Sequence, residues 1–348
     1  MRIAITGASG NVGTAVLRAL VEEPVVTSLV GIASRVPRTD GSSTVAFPHD
    51  RADWVRIDLG DDSAESRDRL HAALNHADVV VHLAWATAPS HDADRLDAVN
   101  VEGTRRVLDA AAAGGAQHVV VASSAGVYAP APDPLPRDEQ WARTGIPGSL
   151  HSIQKLAVER ELDRFERSHA GITVTRVRTP LVLHPDAATE LGHDYLGRLL
   201  PPRLLRRDRP PVLPWVHGMR LQAVHADDLA AAYRAIVQGR HPGVFNVAAA
   251  QVLDGRAVAA ATGASSLREV SPGVARGALA VAWRAHATPL SPDWLDLALG
   301  IPVLDAGHAA TVLRWAPRHA TADTLREVTA AVGRGRGFPS PPLVGRKF

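Results

Sequence analysis

The sequence predicts an α/β protein built on one doubly wound parallel sheet, and two observations carry that prediction. Short apolar runs alternate with helical segments through the first half of the chain, and a glycine-rich turn joins the first run to the first helix. Arg2–Ile5, Thr27–Ala33, Trp54–Ile57, Val79–Leu83, His118–Ala122 and Ile172–Val177 are near-continuous apolar runs, the pattern of strands buried on both faces. Between them Asn11–Glu22, Ser66–Leu74, Arg95–Ala113 and His151–Ser168 repeat apolar residues at i, i+3 and i+4. Each is therefore expected to cross over the sheet as a helix.

Further helices are expected at Asp227–Val237, Ala275–Ala287, Pro292–Leu299 and Thr324–Val332. The organisation is Rossmann-type: a dinucleotide-binding domain over 1–180 and a smaller C-terminal substrate-binding region over 181–335, interleaved with that core. Residues 185–220, rich in Pro, Arg and Leu, read as a substrate-side lid, and the Gly/Pro-rich 336–348 as a loosely held tail. No internal repeat is present.

With 348 residues, 46% of them hydrophobic and 21% charged, the chain can bury a large core and should be globular. No run approaches the ~20 apolar residues of a membrane span, and the first strand begins at Arg2, so a cytoplasmic protein without a membrane partner is expected. A net charge of +2 with dispersed arginines argues against nucleic acid, and the cluster Arg203, Arg206, Arg207 and Arg209 reads as a solvated face. With no cysteine, chemistry must come from oxygen and nitrogen groups. The sixteen histidines make no His-x-x-x-His pair, and His217, His225, His308 and His319 are scattered, so no metal site is expected. Lysine occurs only as Lys155 and Lys347.

Gly7, Ser9, Gly10, Asn11, Val12 and Gly13 follow the first strand and open the first helix, the context a dinucleotide fingerprint requires. Such glycines permit a tight turn, close approach of a pyrophosphate and close helix-to-strand packing. The second strand then ends in Ser34 and Arg35, where an NAD site usually carries an acid for the ribose 2′-hydroxyl. Both side chains suit a 2′-phosphate, so NADPH is expected, with NADH the alternative cofactor. The plainer reading of Arg35 is a solvated surface arginine.

Several further motifs agree with one another. Ile57-Asp58-Leu59, His82-Leu83-Ala84, Asn100-Val101-Glu102-Gly103-Thr104, Ala122-Ser123-Ser124 before Val127-Tyr128, Arg178-Thr179-Pro180 with Val182 beyond, and Val224-His225-Ala226-Asp227-Asp228-Leu229 follow in order. Through them the chain resembles the extended short-chain dehydrogenase/reductases, the NAD-dependent epimerase/dehydratase family. The resemblance implies cofactor contacts by Asp58, Leu59, Leu83, Ala84, Asn100, Ala122, Pro180 and Val182. It also implies an oxygen-orienting role for Ser124, a ribose-gripping role for Lys155 and a buttressing role for His225 to Asp228. Relatives pair through the helices matching Arg95–Ala113 and His151–Ser168, so monomer and homodimer are both open.

The departure lies where that family carries Tyr-x-x-x-Lys: this chain reads His151-Ser152-Ile153-Gln154-Lys155. The family's phenol protonates a carbonyl oxygen as hydride arrives, and three replacements are open. His151 can be the acid, with an ordinary pKa of about 6.5 that Lys155, one turn away, would depress. The substrate can supply the proton from a phenol or enol beside its ketone, leaving the protein only to orient it. Or the protein binds NADP and performs no chemistry, as a sensor or interaction module.

The second option suits a bulky aromatic polyketide-like ketone of the angucyclinone type. Trp85, Tyr195, Trp215 and the leucine-rich 199–205 stretch are the candidate pocket walls, although tryptophans are as readily explained by core packing. The expectation is an NADPH-dependent ketoreductase of antibiotic biosynthesis, using Ser124, His151 and Lys155. A sugar-nucleotide epimerase or dehydratase is the alternative.

Overall fold

The computed structural model describes residues 1–37, 45–86, 91–191, 212–288 and 290–345. Tyr195, the 199–205 stretch, the four clustered arginines and Lys347 lie outside these. Six strands arise in the order read from the sequence: β1 (Arg2–Thr6), β2 (Ser28–Ala33), β3 (Asp53–Arg56), β4 (Val79–His82), β5 (His118–Ala122) and β6 (Thr173–Arg178). Short strands follow: β7 (Leu181–Leu183), β8 (Leu213–Val216), β9 (Leu221–His225), β10 (Gly243–Asn246), β11 (Val252–Leu253) and β12 (Leu267–Val270). The main sheet is seven-stranded and parallel, ordered β10-β6-β5-β4-β1-β2-β3, so its seventh strand comes from the C-terminal half. The chain reverses its winding between β1 and β4, and ligands of such sheets bind at the strand ends beside that point.

Twelve helices flank and extend the sheet among the described residues. In the first half these are α1 (Asn11–Val21), α2 (Ala64–Leu74), α3 (Ala93–Asp97), α4 (Gly103–Ala113) and α5 (Leu150–Ser168). In the second they are α6 (Ala188–Leu191), α7 (Ala226–Gly239), α8 (Gly255–Thr262), α9 (Pro272–Arg284), α10 (Pro292–Gly300), α11 (Gly307–Val312) and α12 (Thr321–Gly333).

Alternation within the strands divides the core into two layers. Ile3, Ile5, Val79, Val81 and Val120 pack under Val16, Leu17 and Leu20 of α1 and Leu229, Tyr233 and Ile236 of α7. Their neighbours Ala4, Val80, Val119 and Val121 face Leu70 and Leu74 of α2, Val107 and Leu108 of α4, and Leu162 and Phe165 of α5. Each such aliphatic side chain contributes roughly 1.5–3 kcal/mol on burial.

Two expectations fail for local reasons. The helix read over Arg95–Ala113 is broken by a π-helical turn at Ala98–Glu102, where Asn100 is drawn inward by tertiary hydrogen bonds. Of the 185–220 segment expected as a lid, the described flanks are packed against the rest of the fold and 192–211 lie outside the described residues. Ala188 and Leu191 meet Val328 and Val332 of α12, and β8 pairs with β12. The tail is tied down as far as residue 345: Ser340 is 0% and Leu343 1% exposed, and Phe338 N–H donates to Leu343 O at 2.8 Å.

Candidate active site

The glycine-rich turn has the geometry a dinucleotide needs. Gly7 has φ +71°, and a Cβ there would stand 2.7 Å from the Ala84 nitrogen; one on Gly13 would meet Gly7 O at 2.3 Å. These two glycines are required by the protein's own packing. Gly10 is different, because its added Cβ would meet only Gly7 O at 3.5 Å. Its bare side faces outward, beside the N-terminal turn of α1 whose first N–H groups lack intrahelical partners. The turn therefore fits a pyrophosphate. At the end of β2, Ser34 and Arg35 are exposed, and Arg35 makes no ion pair among the described residues.

Other expected cofactor residues divide between open and structural positions. Leu83 and Ala84 form the wall against Gly7, Asn11 Nδ2 donates to Val182 O at 3.2 Å, and Pro180 is half-buried after β6. Asp58 accepts from Gly60 N–H at 2.9 Å and from Arg95 at 2.5 Å. Leu59 is buried in the core, with Gly103 pressed upon it. Asn100 is also buried, and it acts as a brace: it accepts from Ala86 N–H at 2.7 Å and donates to Ala86 O at 3.1 Å and Gln154 Oε1 at 3.0 Å. That clamp holds the loop carrying Trp85.

The catalytic candidates converge across the end of β5. Ser124 caps a short turn, accepting from Gly126 N–H at 3.0 Å. The next link is Ser152, which donates to Gly126 O at 2.5 Å and fastens the start of α5 to that turn. His151 is thereby set opposite Ser124, with Nε2 to Oγ at 3.3 Å. Lys155, 5% exposed, donates to Ala122 O at 2.8 Å and lies 3.5 Å from the Trp85 ring centroid. Trp85 meets His151 edge-on at 5.5 Å between centroids.

Electrostatics distinguish these groups. Burial, then the Lys155 charge, pushes the His151 imidazole down to about 3, so the ring is neutral near pH 7. Burial likewise lowers the Lys155 ammonium to about 7, with Glu159 opposing. Ser123, adjacent in sequence to Ser124, serves elsewhere: it donates to Glu159 Oε1 at 2.5 Å. Glu159 also receives Arg178 at 2.8 and 2.6 Å and Arg143 at 3.0 Å.

Both described tyrosines are committed. Tyr128 OH donates to Asn246 Oδ1 at 2.7 Å and accepts from Arg178 at 2.9 Å, and burial raises it to about 12. Tyr233 lies in the core beneath the sheet, its phenol raised by burial.

Sequence reasoning missed Trp294, whose ring centroid lies 5.3 Å from that of His151. α10 delivers it, anchored by Asp293 Oδ2 accepting from Leu150 N–H at 3.1 Å. Ser291-Pro292 marks that helix start in the sequence, but nothing local tells which ring it would meet. Trp215, expected as a pocket wall, is instead core: it packs with Leu253 and Val258, and its indole N–H donates to Met219 O at 3.2 Å.

The histidines are less scattered than the sequence suggests, since ligating atoms of His184, His225 and Asp227 gather within 4.8 Å. Both ring Nδ1 atoms accept backbone N–H bonds, from Asp186 at 3.0 Å and Asp227 at 3.2 Å. Their Nε2 atoms then carry the protons, whereas a ligating histidine donates from its second nitrogen. The cluster fits helix capping better than a cation.

The fold and the glycine turn define a dinucleotide-dependent enzyme class, and the chain belongs to the NAD dependent epimerase/dehydratase family, whose model matches residues 3–248. An uncharacterized protein of Mycobacterium tuberculosis is 36% identical over 124 residues, 36% of this chain and only 12% of that protein's length. The L-arabinose 1-dehydrogenase (NAD(P)(+)) of Haloferax volcanii is 29% identical over 199 residues, covering 54% of this chain and 70% of the other. In fold, the chain is similar to MoeE5 in complex with UDP-glucuronic acid and NAD, with TM-score 0.70 and 21% identity over 96% of this chain and 99% of that one.

Proposed function

We propose that this protein is an NADPH-dependent ketoreductase acting on an aromatic polyketide-like, angucyclinone-type ketone with a neighbouring phenol, a step of the kind found in antibiotic assembly such as simocyclinone biosynthesis. One observation carries the reading. Ser124 meets a neutral His151 set between Trp85 and Trp294, with the buried Lys155 one helical turn on and against Trp85, while both described tyrosines are bound elsewhere.

The dinucleotide supplies hydride to the carbonyl carbon when bound. Ser124 orients the carbonyl oxygen, Lys155 holds the ribose side, and the tryptophans offer flat apolar walls. The proton on the new hydroxyl comes from the substrate's own phenol, leaving a phenolate that water reprotonates. His151, in the place where the family has tyrosine, packs and polarises without donating. The protein's partner is thus the small-molecule ketone, in a cytoplasmic setting.

The test is NADPH oxidation, followed at about 340 nm, against phenolic polycyclic ketones and, separately, product analysis of sugar nucleotides incubated with NAD, since epimerisation and dehydration consume no net reductant. Turnover of the ketones alone supports the proposal. The family's description favours a second reading, an epimerase or dehydratase; sugar nucleotides are the substrate class proposed for it, and their conversion to a new product without net NADPH oxidation would establish it. Tight NADPH binding without turnover of either would point to a silent sensor.

A further inference from the structure

The C-terminal loop was expected to be loose, yet it sits on the cofactor turn. After α12 the chain turns through Gly335, φ +62°, and closes on itself where a Cβ on Gly337 would stand 2.2 Å from the Gly345 nitrogen. Arg336 fixes its base, donating to Asp186 at 3.1 and 2.8 Å while its carbonyl accepts from Thr189 Oγ1 at 2.9 Å. From its tip, Ser340 Oγ donates to Ser9 O at 2.8 Å, a bond buried from solvent and spanning nearly the whole chain. Phe338 meets the His49 ring edge-on at 5.2 Å, and His49 Nε2 pairs with Thr14 Oγ1 of α1 at 3.0 Å.

The Ser9–Gly10 peptide is consequently fixed on both edges. Its carbonyl is held by Ser340, and its N–H donates to Gly7 O at 3.1 Å. The N–H groups that follow, at Asn11 and Val12, are those the fold directs at a pyrophosphate. We propose that Ser340 is a positioning residue of the cofactor site, and that the loop 335–345 sets dinucleotide affinity by preorganising the glycine-rich turn. The inference rests on the dinucleotide-binding reading above. Because the turn serves the pyrophosphate, common to both dinucleotides, loss of the contact weakens NADPH and NADH equally.

The experiment is a nicotinamide-fluorescence titration of the full chain and of Ser340→Ala and Ser340→Thr with NADPH and with NADH, together with KM and kcat for whichever ketone is turned over. Ser340→Ala is expected to raise Kd about fivefold for both dinucleotides, and KM for NADPH similarly, with kcat unchanged at saturation; Ser340→Thr restores affinity by returning the hydroxyl. Unchanged Kd values with only a lowered Tm would make the bond purely structural and overturn the proposal. If the unaltered protein binds neither dinucleotide, the cofactor reading itself falls, a result distinct from any difference between the variants.

Discussion

His151 Nε2 stands 3.3 Å from Ser124 Oγ, joining the first turn of α5 to the turn that follows β5. The ring is hemmed by Trp85 and Trp294 and lies one helical turn from Lys155, so protonating it would place two cations in a poorly solvated space. A neutral imidazole can exchange a hydrogen bond with the serine, but it holds no surplus proton for an alkoxide.

His151→Ala is therefore expected to retain kcat within about tenfold, whereas Ser124→Ala, removing an oxygen-orienting hydroxyl, should lower it by about 10². With His151 titrating at about 3, kcat should show no histidine ionisation between about pH 5 and 7. Methylating the substrate's neighbouring phenol should abolish turnover. Survival of the methyl ether together with collapse of His151→Ala would instead make the histidine the acid.

Lys155 is lowered to about 7 because burial disfavours its charge. Ribose hydroxyls gripped by Lys155 accept hydrogen bonds best from its charged form, so binding should draw in a proton at pH 8. Calorimetric titrations in two buffers of different ionisation enthalpy read this uptake directly. Lys155→Met should lose it, and equal heats in both buffers for the unaltered protein would exclude the coupling.

Arg35 is exposed beside Ser34 and free of ion pairs among the described residues. Arg35→Ala should weaken NADPH by about tenfold or more, as befits loss of a charge-assisted bond to the 2′-phosphate, and leave NADH nearly unchanged. Equal losses for both would remove the argument for NADPH.

The sheet was legible because each strand buried on both faces writes an uninterrupted apolar run; β5 has the bounds read from the sequence. Strands of two or three residues such as β7 and β11 have no period to detect, and the parallel pairing of β10 with β6 is a tertiary fact. In the site, Ser124, His151, Lys155 and Trp85 come together from motif and spacing. Trp294 and Gln154 escaped because their roles depend on which helix end lands where. Trp215 was misplaced for the converse reason, since a tryptophan's composition says nothing about whether its ring lines a pocket or fills a core. The tail misled because Gly and Pro describe a chain's local freedom, not a single buried hydroxyl at its tip.

Glu159 is 0% exposed and shared by Arg178, Arg143 and Ser123, linking α5 to β6 beneath the site. The arginines hold its carboxyl below the usual range against the opposing effect of burial. Removing it strands the Arg178 charge, so Glu159→Ala should cost about 3–5 kcal/mol in chemical denaturation. A loss under about 1 kcal/mol would mean that Arg178 finds other partners or water.

Acid should destabilise the fold through its buried histidines. Burial is the leading cause in each case: His49, His118 and His225 are lowered to about 4, and His82 and His151 to about 3. In the unfolded chain these rings take up protons as the pH falls through about 6.5, while the folded protein excludes them until about 4. Each contributes a slope of up to about 1.4 kcal/mol per pH unit across that window, and the contribution is complete only above about pH 6.5. Tm is therefore expected to fall steadily from pH 7 to pH 5, and His118→Asn, which removes one titrating ring between β5 and Thr175, should flatten the slope. A Tm that holds constant over this range would require the rings to be protonated in the fold, and that would in turn restore His151 as a proton donor.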